Sequence, residues 1–127
     1  MKTIGRESVV LFHSKIVYKT GGSKAVRDNS MIDASLNRAF ASFDTVDLYP
    51  AVEDKIAAIC HGLIKNHAFI DGNKRIGIAV MLLLIELNGI KIDYAQSELA
   101  DLGRGVAEGI YDQSSVREWI YMHKDFS

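Results

Sequence analysis

The sequence predicts an all-α protein, a compact bundle of six helices around one buried central helix. Three observations point there. Apolar residues recur at three- and four-residue intervals in one segment after another. The segments are separated by short connections with glycine, proline or helix-capping residues. Only one short stretch alternates like a strand, and it has no strong counterpart to pair with. At 127 residues the chain fits a single domain, 1–127, with one core.

Val9, Phe12, His13, Ile16 and Val17 define the first helix, and Gly21-Gly22 stops it. His13 lies on the apolar face and reads as a packed core histidine. Residues 21–29 read as a charged, solvated loop. Its Gly-Gly-Ser-Lys partly matches a P-loop, but the first glycine of that motif is missing and no apolar strand precedes it. Ser30 and Asp33 suggest a capping box for a second helix, whose face is Ile32, Leu36, Ala39, Phe40 and Phe43. Residues 44–50 connect it to a third helix, with Pro50 in the first turn. Val52, Ile56, Ile59, Cys60 and Leu63 form that helix's stripe. His67 stands near its end, and His61 lies off the stripe, on the exposed side.

A fourth helix starts near Asn73 and stops at Asn88-Gly89. It is apolar almost all round, as a helix surrounded by others must be. Residues 90–94 alternate but act as a connector. Leu99, Leu102, Val106 and Ile110 mark a fifth helix, in which Gly103, Gly105 and Gly109 imply close packing. Ser115 and Glu118 suggest a capping box for a sixth, with Val116, Trp119 and Ile120 inward. The last residues should fray.

Composition excludes several classes of function. A net charge of −1 gives no broad basic surface, so direct nucleic-acid binding is not expected. Cys60 is alone, so no intrachain disulfide forms, and within an apolar helix it reads as a buried thiol. The apolar run from Ile76 is shorter than the roughly 20 residues that span a bilayer. Met1-Lys2 leads into polar sequence with no signal peptide. The expected location is the cytoplasm, away from any membrane. No zinc-ligand spacing is present, since His61 and His67 face different sides of a helix.

The whole chain is organised around His67-Ala68-Phe69-Ile70-Asp71-Gly72-Asn73-Lys74-Arg75, at the mouth of the apolar fourth helix. Gly72 permits a tight turn or positive φ. The amides of Asn73, Lys74 and Arg75 then fall in a first helical turn, where N–H groups lack partners and attract anions. Lys74 and Arg75 put cations where the helix dipole opposes them, at roughly 0.3–1 kcal/mol each. A bound phosphate would offset that cost. Asp71 offers an oxygen to magnesium or to a hydroxyl. His67 suits a general base near neutral pH. Phe69 anchors the loop on the core. Taken singly, each residue has a plainer reading: Asn73 as an N-cap, His67 as a helix-end residue. Their concentration before an apolar helix argues for a site.

This stretch resembles the signature of the Fic/Doc family, His-x-Phe-x-(Asp/Glu)-(Gly/Ala)-Asn-x-Arg. His67, Phe69, Asp71, Gly72, Asn73 and Arg75 meet every fixed position. Where the adenylylating Fic branch usually has glycine, this chain has Lys74, and Ile78 stands where that branch has a second arginine. Asn-Lys-Arg is instead similar to the death-on-curing (Doc) branch, the toxins of toxin–antitoxin pairs. Gly21-Gly22, Arg27-Asp28, Tyr49-Pro50 and Asn88-Gly89 are similar to further Doc landmarks, so the resemblance runs over nearly the whole chain.

The resemblance implies an all-α fold and an enzyme that moves the γ-phosphate of ATP onto a hydroxyl of a translation elongation factor of the Tu type. His67 would be the base. Asp71 would orient the hydroxyl or hold Mg2+. Gly72, Asn73, Lys74 and Arg75 would bind and stabilise the phosphates. An adenylyltransferase is the alternative enzyme, and a non-enzymatic binding or repressor module is the alternative outside catalysis. The inhibitory Ser/Thr-x-x-x-Glu-Gly/Asn helix of many Fic proteins is incomplete here: Ser8 follows Thr3 and Glu7, and Arg104 precedes Glu108-Gly109. An external antitoxin is therefore expected, its disordered tail folding into a groove over the site.

Overall fold

The computed structural model describes residues 1–126. Six α-helices make up most of it: α1 (Arg6–Thr20), α2 (Asn29–Asn37), α3 (Val52–Lys65), α4 (Asn73–Leu87), α5 (Gln96–Ala107) and α6 (Gln113–Met122). The all-α class and the number of helices agree with the sequence.

The most enclosed helix is α3, where ten of the 14 residues are buried. Its neighbours approach closely because both sides of each crossing carry small residues. A Cβ on Gly62 would touch Ser35 Oγ at 3.1 Å, and one on Gly77 of α4 would run into Ile64 and lie 3.1 Å from the Cys60 carbonyl. Burial pushes the Cys60 thiol up to about 12, so it stays protonated and inert. The fourth helix, expected to be surrounded, is not: Ile78, Ala79 and Leu82 are only half-buried.

Several local expectations are corrected. The α2 cap is Asp28, whose carboxylate accepts from Ser30 N–H at 2.9 Å, while Asp33 pairs with Arg6 at 3.0 Å. After α2 the chain tightens into a 3₁₀ turn (Arg38–Phe40) and then a hairpin of β1 (Ser42–Phe43) and β2 (Val46–Asp47). Asp44 and Thr45 both have positive φ, which matches the twist of a two-residue hairpin turn. Phe40 and Phe43 therefore leave the helical face and are 47% and 76% exposed. Pro50 falls just before α3, whose N-cap is Ala51. His61 is half-buried rather than exposed, and its Nδ1 has no partner among the described residues.

Gly103 and Gly105 do mark close packing, against Ile78 and Tyr111, but Gly109 serves a positive φ of 78°. Ile110 lies beyond α5 and is exposed. Asp112, not Ser115, caps α6, and Ser115 returns the bond at 3.2 Å. Residues 90–94 do find a strand partner. Ile92 bridges Lys124, Asp93 N–H donates to the His123 carbonyl at 2.8 Å, and Asp125 N–H to the Lys91 carbonyl at 2.9 Å. Lys124 also bonds the Glu53 carboxylate, so residues 124 and 125 are tied to the bundle instead of fraying; Ser127 lies outside the described residues. No described helix is long and apolar enough to cross a membrane.

Candidate active site

The motif forms a strap between α3 and α4. The chain leaves α3 through His67 at φ 49°, a left-handed conformation that costs a non-glycine residue roughly 1–3 kcal/mol. Arg27 holds that turn, donating Nε–H to the His67 carbonyl at 2.7 Å and Nη2–H to the Asn66 carbonyl at 3.4 Å. The strap then runs antiparallel to residues 25–28. Ala68 O accepts from the Arg27 and Asp28 amides at 2.8 and 3.0 Å, Phe69 bridges Val26, and Ile70 N–H reaches the Ala25 carbonyl. The loop at 21–29 is thus a structural partner of the motif, not merely a solvated connection.

Phe69 is 1% exposed, the anchor that the sequence suggests. It stacks on the His13 ring, with centroids 3.7 Å apart and planes 14° from parallel. His13 Nε2–H donates to the Asp71 carbonyl at 2.7 Å. Burial, helped by the Arg75 charge, outweighs that bond and lowers the His13 pKa below its usual value, so the ring is neutral.

Asn73 is not the N-cap; Gly72 is, at φ 79°, ψ 19°. The Asn73 side chain turns back on the strap instead. Its Oδ1 accepts the Phe69 N–H at 3.1 Å and its Nδ2 donates to the Phe69 carbonyl at 2.9 Å. One Asp71 oxygen, Oδ2, accepts the Ser23 amide at 2.8 Å; the other has no hydrogen bond among the described residues.

The two cations differ. Arg75 bonds the Thr20 hydroxyl and donates to the Gly21 carbonyl at 3.1 Å. It therefore sits at the C-terminal end of α1, where the dipole favours a cation, and needs no anion to explain it. Lys74 is exposed and its ammonium has no partner among the described residues. The His67 side chain is likewise exposed and unbonded. Asp71, Gly72 and Arg75 cluster under Gly22, where a Cβ would touch Asp71 Cβ at 3.3 Å and Arg75 at 3.4 Å. Ser23 and His13 carry no motif signal, and Gly22 and Arg27 lie outside the central motif. Only the Gly-Gly and Arg-Asp pairs hinted that their loop is special.

An all-α bundle with its one dense polar motif strapped across the N-terminus of a helix is a well-defined class of scaffold. The chain belongs to the Fic/DOC family: that family's model matches residues 3–85, from before α1 to the last turns of α4. It is also 37% identical over 98 residues to Toxin Doc of Mycolicibacterium smegmatis, which covers 76% of this chain and 75% of that protein, and this places it on the Doc branch.

Proposed function

We propose that this chain is the toxin of a toxin–antitoxin pair, acting in the cytoplasm as a single-domain enzyme. It transfers the γ-phosphate of a nucleoside triphosphate, ATP, to a hydroxyl of a translation factor of the elongation factor Tu type and so arrests growth. The similarity to Toxin Doc supports the toxin role. One observation carries the chemistry: exposed His67, an Asp71 oxygen and a Lys74 ammonium that have no partner among the described residues flank a left-handed glycine at the start of a helix.

In this reading His67 takes the proton as the target hydroxyl oxygen bonds to the γ-phosphorus. The bond to the bridging oxygen breaks and ADP leaves. The Gly72 and Asn73 amides, with the Lys74 and Arg75 charges, stabilise the phosphates, which is most of what a protein contributes to this reaction. Asp71 orients the hydroxyl or holds magnesium. Among the described residues no group of three or more acidic, histidine or cysteine side chains forms a metal cage. Magnesium suits such a site, because it is commonly held by one or two carboxylates plus the substrate's own phosphates. When bound, it would neutralise phosphate charge.

Lys74 favours phosphate over nucleotide transfer. A lysine at the helix entrance narrows the space that the adenylylating branch leaves for phosphates, and half-buried Ile78 cannot supply that branch's second arginine. Label from γ-phosphate-labelled ATP should appear on the target, and label from the α-phosphate should not. The reverse pattern would make the chain a nucleotidyltransferase; no label from either would favour a binding module.

The half-buried face of α4 supports an external antitoxin. It floors an apolar groove of about 480 Å³ beside Lys74 and Arg75, lined also by Ile16 and Leu99. A disordered antitoxin tail would fold there as an amphipathic helix and cover the site. Leu82→Glu should then abolish neutralisation by the antitoxin while leaving label transfer intact.

A further inference from the structure

We propose that His13 is a positioning residue: it holds the Asp71 carbonyl inward and thereby turns the Gly72 N–H outward, toward a phosphate. The inference rests on the proposed function for the identity of that phosphate, but its geometry can be tested separately.

His13 is wholly buried on α1, far in sequence from the motif. A carbonyl can only accept, so its contact with Asp71 O at 2.7 Å fixes the ring proton on Nε2. The other nitrogen, Nδ1, is then a buried acceptor, and it has no partner among the described residues. Such an orphan is destabilising. Phenylalanine would keep the stack on Phe69 without it, so packing does not explain a histidine here. What phenylalanine could not do is donate to the Asp71 carbonyl.

The consequence follows from peptide geometry. The chain has no cis peptide bond among its described residues, and in a planar trans peptide the C=O and N–H point in opposite directions. With the Asp71 oxygen pulled in to His13, the Gly72 N–H must face out, and it has no partner among the described residues. Gly72 is left-handed and Asn73 helical, a succession that converges neighbouring N–H groups on one concavity suited to anions. Yet the glycine that permits this turn also leaves the 71–72 peptide free to turn over, because glycine tolerates either sign of φ. Turned over, the peptide would present a carbonyl oxygen to the phosphate. The His13 ring sits directly under this turn, 3.2 Å from where a Gly72 Cβ would be.

The test uses the intact chain with His13→Phe, which keeps the ring but not the donor, and His13→Gln, whose amide can donate from nearly the same place. If phenylalanine does not fold, His13→Met takes its part. Crystal structures give the peptide orientation, the Gly72 amide resonance is followed during titration with inorganic phosphate, and label transfer gives kcat and KM separately. In the donor-free variant the 71–72 peptide should turn over and the Gly72 amide should stop responding to phosphate. Its kcat should fall about a hundredfold, the usual scale for one lost oxyanion donor, with KM for the protein target unchanged. His13→Gln should restore all three. A donor-free variant with the wild-type peptide orientation and phosphate response overturns the proposal, as does a wild-type Gly72 amide that ignores phosphate. A wild-type protein whose Gly72 amide responds to phosphate but which labels no protein refutes the enzymatic reading alone, and the variant structures still decide the role of His13.

Discussion

Replacing Asn73 with alanine removes both arms of the clamp that closes the strap. The two bonds run to the N–H and C=O of one residue, Phe69, at 3.1 and 2.9 Å. Phe69 is 1% exposed, so water cannot take over either role. A buried donor and a buried acceptor left unpaired cost about 1–3 kcal/mol each. The better helix propensity of alanine returns only about 0.5 kcal/mol. We expect Asn73→Ala to lose roughly 2–4 kcal/mol, or about 8–15 °C in Tm for a chain of this size. Asn73→Asp should fall in between. It keeps the acceptor and gains about 0.3–1 kcal/mol from a negative charge at the N-terminus of α4, but it sets a carboxylate against the Phe69 carbonyl. Urea unfolding measures the loss, and amide exchange localises it: the Phe69 amide should exchange through local opening in the alanine variant while the α3 amides still require global unfolding. An alanine variant within about 0.5 kcal/mol of wild type, with its Phe69 amide still protected, would show that the pairing to Ala25 and Val26 holds the strap unaided.

Other expectations follow from the same geometry. His67→Ala should abolish label transfer and growth arrest without lowering Tm much, since that side chain is exposed and makes no hydrogen bond among the described residues; a folded but equally toxic variant would remove it from the mechanism. Asp71→Asn should be nearly as damaging, read by the same transfer assay. Gly77→Ala should destabilise by about 1–3 kcal/mol despite its gain in helix propensity, because the new methyl meets Ile64 and the Cys60 carbonyl in the core; unfolding in the Ile64→Ala background should show that penalty relieved. The pair between Glu98 and His123, at 2.6 Å, should give a pH window. The hydrogen bond from His123 lowers the Glu98 pKa; burial presses His123 down, but bonds to Glu98 and the Trp119 carbonyl and nearby acidic charge outweigh it and raise its pKa. A lowered carboxylate stabilises above its ordinary 4.5 and a raised imidazole below its ordinary 6.5. The Tm difference between wild type and His123→Gln should therefore be largest between those values and shrink on both sides.

What was legible in the sequence was encoded locally. The start of α4, the glycine turn before it, the Phe69 anchor and the stop at Asn88-Gly89 all depend on residues within a few positions of one another. The misreadings near helix starts have a common cause. Asp28 and Asp112 each stand two or three residues before a serine, and either residue type can cap, so the pattern alone does not choose between them. Long-range pairings were out of reach. Nothing near Ile92 announces Lys124, and nothing near Asp71 announces His13, 58 residues away. The cations at the motif show the limit most clearly. The dipole argument assigned both Lys74 and Arg75 to an anion, yet Arg75 is accounted for by the end of α1, which only the tertiary structure brings there.

The apolar surplus of α4 carries further information. From Ile76 to Ile85 the helix has no polar side chain, a composition suited to burial on every side. The bundle packs α3, α5 and α1 against it, yet leaves Ile78, Ala79 and Leu82 half-buried and facing a groove. Ile78 and Leu82 pack on the core with their inner sides, Ile78 against Gly103, but folding alone does not require their outer sides to be apolar. Their apolarity is explained if the face is covered for part of the protein's life. The groove adjoins the two motif cations, so whatever covers α4 also reaches the entrance of the site. The mismatch between what the sequence prepares for burial and what the fold buries thus points to the same place as the motif, and under the proposed function it would tie restraint of the activity to the helix that carries it.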